Sequence, residues 1–83
     1  MQRPVRVCFW TTSFGPDLIA LGWDLDAHED FELRVAVDDP AAMMREPSLG
    51  RRPLKAPLVD KGLAGMRALR RFAPDVVVID NGP

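Results

Sequence analysis

The sequence predicts a three-layer α/β fold, in which a partial parallel sheet of strand order 2-1-3 lies between flanking helices. Three observations carry that prediction. Strand-like runs recur at Val5–Trp10 and Phe31–Val37, and an apolar, β-branched one near the end at Val76–Ile79. Apolar residues at helical spacing occupy the two stretches Pro16–His28 and Asp60–Phe72. Strands alternating with helices imply parallel pairing through right-handed crossovers.

The first strand, Val5-Arg6-Val7-Cys8-Phe9-Trp10, sends Val5, Val7 and Phe9 to one side and Arg6, Cys8 and Trp10 to the other. Both sides are apolar beyond Arg6, which suits a central strand. Thr11-Thr12-Ser13-Phe14-Gly15 then leads into a helix. Pro16 fits its first turn and Asp17 suits the positive end of its dipole, with Ser13 or Gly15 as N-cap. Leu18, Ile19, Leu21, Trp23 and Leu25 form its apolar stripe, and Gly22 lets the helix approach its neighbours.

In the second strand Phe31, Leu33, Val35 and Val37 alternate with Glu32, Arg34 and Ala36, the pattern of a half-exposed edge. Residues 40–58 hold Pro40, Pro47, Pro53, Pro57 and Gly50. They read as a Pro-rich connecting loop with a helical turn near 41–45 and a minor strand near Leu54–Val59. Asp60 is the expected cap of the second main helix, whose stripe is Leu63, Met66, Leu69 and Phe72. Pro74 stops that helix. Val76–Ile79 is apolar throughout and reads as a strand buried on both faces. A buried third strand and a half-exposed second one put the first strand in the middle.

Eighty-three residues make at most one small Rossmann-like domain or subdomain, and the short core leads us to expect residues 1–83 to be the N-terminal part of a longer protein or to self-associate. No apolar run is long enough to form a transmembrane segment. The single cysteine, Cys8, excludes an internal disulfide and fits a cytoplasmic location. With one Cys and one His no zinc site and no serine or cysteine triad can be assembled, so no metal site is expected. His28 reads as a helix-end residue and Cys8 as a core residue.

The net charge of −1 hides a segregation. Residues 1–40 carry three arginines against eight carboxylates, and residues 41–71 carry eight Lys and Arg against Glu46 and Asp60. The basic residues are spaced out and not interleaved with aromatics, so they read as a solvated face, and nucleic acid is not a favoured partner.

In an open parallel sheet ligands bind beyond the carboxyl ends of the strands, where the crossovers diverge. With strand order 2-1-3 that crevice is lined by Thr11, Thr12, Ser13 and Gly15 on one side and Asp80, Asn81 and Gly82 on the other. Hydroxyls and backbone N–H groups before a helix suit a small-molecule acceptor or an anionic ligand. The same loop also reads as an ordinary strand-to-helix turn. Asp80 is the one catalytic candidate, as an acceptor for a ligand hydroxyl or a general base. Asn81-Gly82 equally reads as a turn. Asp38-Asp39-Pro40 can bind a ribose or simply make a turn. The loop has neither G-x-G-x-x-G nor Walker A spacing, so no cofactor is expected within this chain.

The segments VRVCFW, TTSFG, PDLIALGWDL, FELRVAVDD and LRRFAPDVVVIDNGP together resemble the N-terminal domain of GT-B glycosyltransferases. The junction Arg70 to Val77 is similar to that family's R-x-x-x-P-D-V-V helix-to-strand junction. The resemblance implies a domain that contacts the acceptor while a C-terminal domain holds the nucleotide-sugar donor, and hence a piece inactive alone. Ser13-Phe14-Gly15 stands where many such enzymes place a catalytic histidine. Arg51-Arg52-Pro53-Leu54-Lys55 and Ala73-Pro74-Asp75-Val76 also resemble segments of folate-dependent formyltransferases, whose Asn-x-His signature would lie beyond Pro83. A non-enzymatic Rossmann-like module that binds a ligand or partner is the third alternative.

Overall fold

A computed structural model describes residues 3–12 and 14–80. The elements run β1 (Val5–Thr11), α1 (Pro16–Asp26), β2 (Phe31–Ala36), α2 (Pro40–Met43), α3 (Pro47–Arg51), β3 (Leu58–Val59), α4 (Leu63–Phe72) and β4 (Val76–Asp80). The four strands form one all-parallel sheet in the order β3-β2-β1-β4. The α/β, Rossmann-like class and the central position of β1 are as expected. The order differs in detail because β3, only two residues long, pairs with the outer side of β2 at Val35 and Ala36.

That short strand reverses two burial expectations. β2 is interior, with Leu33, Val35 and Ala36 buried, because β3 and the chain before it cover its flank. β4, expected to be buried on both faces, is the edge: Val76, Val77 and Ile79 are exposed.

Side-chain parity sorts the core into two layers. Val7 and Phe9 of β1 and Leu33 and Val35 of β2 face α1, meeting Phe14, Leu18 and Ile19. Phe9 and Phe14 meet edge to face at 6.2 Å. Cys8 and Ala36 face the other way, onto Leu69 of α4. Only Leu69, Phe72 and Gly65 of α4 are buried, so the Leu63 and Met66 half of the expected stripe lies in solvent.

Within residues 40–58 the expected helical turn is α2 and the expected minor strand is β3, while α3 adds a helix that was not expected. The segment is fastened to α1. Trp23 Nε1 donates to the Arg52 carbonyl at 2.8 Å, and the Asp26 carboxylate accepts from the Lys55 N–H at 2.6 Å and the Ala56 N–H at 3.4 Å. Leu49 and Ala56 are thereby drawn into the α1-side core. Gly22 packs against Phe9, Phe14 and Leu54, the close approach expected of it.

The α4 start depends on a second glycine. Asp60 Oδ1 accepts from the Gly62 and Gly65 N–H groups at 3.0 and 3.2 Å, so Asp60 caps the helix although Gly62 is the formal N-cap residue. Ala73 ends it in the left-handed region, φ 53°, ahead of Pro74.

Candidate functional site

Because α1 carries the β1-to-β2 crossover on one face and α4 leads into β4 on the other, the crossovers diverge between β1 and β4. The carboxyl ends of those two strands are in register: Thr11 pairs with Asp80, and the Thr12 N–H donates to the Asp80 carbonyl at 3.3 Å. Thr11 is fully buried, Asp80 half-buried and Thr12 exposed. Gly15 is the N-cap of α1, in extended conformation, and its carbonyl accepts from the Ile19 N–H at 2.9 Å. The structure therefore brings together Thr11, Thr12 and Asp80 and puts Gly15 at the start of the adjoining helix. Ser13, Asn81 and Gly82 lie outside the described residues.

A neighbouring cluster escaped sequence reasoning. Trp10 is on the α4-facing side of β1, one residue before Thr11. Lys61 Nζ lies 5.0 Å from the centre of its ring and 3.0 Å from Asp38 Oδ1. The lysine side chain is mostly buried by these two partners, which hold its charge by a short ion pair and the ring's quadrupole. The signal that points to it is a lysine directly between a strand and a helix cap. Asp39, beside Asp38, accepts from the Ala42 N–H at 3.1 Å and caps α2, so the acidic pair after β2 is used in a turn and an ion pair.

Other titratable groups stand away from the crevice. His28 follows α1, contacts Asp30 at 3.7 Å and sits edge-on to Phe31, at the amino end of β2. Cys8 is buried between β1 and α4, and burial raises its thiol pKa. Asp75, at the amino end of β4, accepts from Arg3 at 2.9 and 2.7 Å and from the Arg6 N–H at 2.9 Å. Those bonds, Arg3 first, hold its carboxyl down at about 2. Beside it Arg6 donates to the Phe72 carbonyl at 3.1 Å, and the Arg34 guanidinium lies 4.6 Å from the centre of the Phe72 ring. This cationic cluster clamps the end of α4 onto the sheet.

An apolar cleft of about 300 Å³ opens elsewhere, lined by Pro40, Met44, Leu49, Leu54, Ala56 and Leu58. The Arg51–Lys55 segment borders it and packs on α1, with the Arg52 guanidinium 4.9 Å from the Trp23 ring centre. Among the described residues no group of three or more His, Cys, Asp or Glu is placed to hold a metal ion. No helix among them is long and apolar enough to cross a membrane.

A scan against protein-family models and searches of curated proteins and solved structures found no significant match to this chain.

Proposed function

We propose that this chain is the acceptor-side half of a glycosyltransferase-like site, binding a small hydroxyl-bearing or anionic molecule at the carboxyl ends of β1 and β4. The observation that carries the reading is the junction of Thr11 and Thr12 with Asp80 at the point where the crossovers diverge. The hydroxyl of the exposed Thr12 supplies both a donor and an acceptor, the buried Thr11 holds the register with Asp80, and a carboxylate accepts from a sugar hydroxyl. In an open α/β sheet this is where such groups meet a ligand. Asp80 is the group suited to accept a proton from an acceptor hydroxyl. The resemblance to GT-B N-terminal domains supports the choice of a sugar acceptor, with the nucleotide-sugar donor held by a second domain and no transfer catalysed by residues 1–83 alone.

The test is a two-dimensional NMR titration of the 83-residue chain with methyl glucoside, inorganic phosphate, UDP-glucose and folate in separate arms. Methyl glucoside is expected to shift the amides of Thr11, Thr12, Gly15 and Asp80 saturably, and Asp80→Asn to weaken that binding at least tenfold. Shifts confined to the Pro40–Leu58 cleft, or no saturable shift with methyl glucoside, would overturn the reading. A response to folate alone would replace it with the formyltransferase-like alternative.

A further inference from the structure

β4 is apolar, yet it is an edge. The Thr12 N–H donates to the Asp80 carbonyl at 3.3 Å, so Asp80 turns its backbone groups toward β1. Backbone groups of alternate residues in a strand point to the same side. Val76 and Val78 therefore direct their N–H and C=O groups at β1, whereas Val77 and Ile79 direct theirs away from the sheet. No other strand among the described residues pairs with that outer side. Nor does the edge carry the devices that usually blunt one: it has no lysine, proline or bulge between Val76 and Ile79.

The exposed apolar surface gathers at this same wall. Gly65, Leu69 and Phe72 of α4 face the sheet, and Ala64 and Ala68 line a hollow with Pro40, Leu58 and Val59 on the β3 side. Helical geometry then turns Leu63 and Met66 to the opposite flank, over β4. Val76, Val77, Ile79, Leu63 and Met66 are five of the eight large apolar residues that are exposed among those described.

We propose that two copies of this chain associate through β4, antiparallel about a two-fold axis at Val78, to make one continuous eight-stranded sheet. The strand is self-complementary in that register. Val78 meets the second copy's Val78 at the axis as a non-hydrogen-bonded pair, and Val77 exchanges both outward hydrogen bonds with the second copy's Ile79. On the α4 side Val77 lies opposite the second copy's Ile79, and the symmetric pair closes an apolar cluster of four side chains under the Leu63 and Met66 flanks. The area fits a second copy. The chain exposes 5602 Å². A compact monomer of its 9.2 kDa mass exposes about 4,900 Å². The excess, roughly 700 Å², is close to the ~800 Å² that each partner contributes to a standard interface.

The experiment is sedimentation equilibrium on the 83-residue chain and two variants, Ile79→Lys and Val77→Glu. Both side chains are at least half exposed, at 64% and 50%, so both variants are expected to fold, with unchanged far-UV circular dichroism. The unmodified chain is expected to dimerise with a dissociation constant on the order of micromolar. Each variant alone is expected to weaken association at least tenfold, by setting a charge against an apolar side chain. When the two variants are mixed one to one, the heterodimer sets the introduced lysine of one copy opposite the introduced glutamate of the other, and association is expected to return. A monomeric unmodified chain at about 100 μM, variants that dimerise as before, or a mixture that stays monomeric would each overturn the proposal.

Discussion

Gly65→Ala separates local helix propensity from tertiary fit at one atom. In an ordinary helix the change stabilises by up to about 1 kcal/mol. Here a Cβ would lie 1.8 Å from the Asp60 carbonyl oxygen and 2.6 Å from Asp60 Oδ1. The nearer atom belongs to the backbone and cannot rotate away, so the first turn of α4 must shift. That shift breaks the bonds from Gly62 and Gly65 to the Asp60 carboxylate. Losing a cap costs about 0.5–2 kcal/mol, and forcing an extra carbon into a packed site typically costs about 1–3 kcal/mol. After the propensity gain is subtracted, a net loss of roughly 1–3 kcal/mol is expected, each kcal/mol lowering Tm by about 4–8 °C in a domain of this size.

Urea unfolding followed by circular dichroism measures the change, with Gly22→Ala as the internal comparison. A Cβ at Gly22 would meet Leu54 at 3.4 Å and Phe14 and Phe9 at 3.6 Å, which is ordinary contact, so that variant is expected to be neutral or more stable. Asp60→Ala removes the carboxylate but leaves the carbonyl in place. Gly65→Ala should therefore still destabilise in the Asp60→Ala background. A Gly65→Ala chain as stable as the parent would refute the reasoning, and so would a loss that disappears when Asp60 is alanine.

Further outcomes follow from single contacts. Asp75 has a folded pKa of about 2 against an ordinary 3.8, so its ionised form stabilises the fold above about pH 3.8, and that contribution is lost as pH falls toward 2. Asp75→Asn should be less stable at neutral pH and lack that part of the acid-induced loss, which a series of urea midpoints from about pH 2 to 7 would reveal. Asp26→Ala strips the acceptor from the Lys55 and Ala56 N–H groups and should cost about 1–3 kcal/mol, with faster amide exchange confined to residues 52–56. Cys8 is buried and its thiol pKa is raised, so a thiol reagent at about pH 8 should label it only at the rate of unfolding; rapid labelling of the native chain would contradict its placement under α4.

The elements were legible wherever local chemistry decides them. Pro16 and Asp17 begin α1, Asp60 caps α4, Pro74 follows its end, and the alternation of Phe31 to Val37 is that of a strand. The Thr11–Asp80 junction was legible because it depends only on which strands neighbour each other. What escaped was set by contacts between segments distant in sequence. Trp23 and Asp26 fasten residues 52–56 to α1, and no periodicity in a Pro-rich stretch signals that. The minor strand near Leu54–Val59 was expected, but at two residues β3 has no pattern to show that it pairs with β2 and moves β2 from the edge to the interior. Lys61 looks like a solvated charge until Trp10 and Asp38 are brought beside it.

The misplacement of β4 has a different origin. Apolar composition records that a strand is shielded from water, and it does not record by what. Val76–Ile79 has the composition of a strand with neighbours on both sides, and within the described residues it has one. α4 does not supply the missing cover, since its buried residues settle on Cys8 and Ala36 and leave Leu63 and Met66 turned outward. Burying a valine or isoleucine side chain is worth roughly 1.5–3 kcal/mol, so an edge with three such residues exposed forgoes several kcal/mol that a partner would recover. The same residues that mislead a reading of the isolated strand thus identify the surface at which association is most favourable. The crevice at Thr11 and Asp80 lies at the end of that strand, so cover along β4 would also brace one wall of the proposed site.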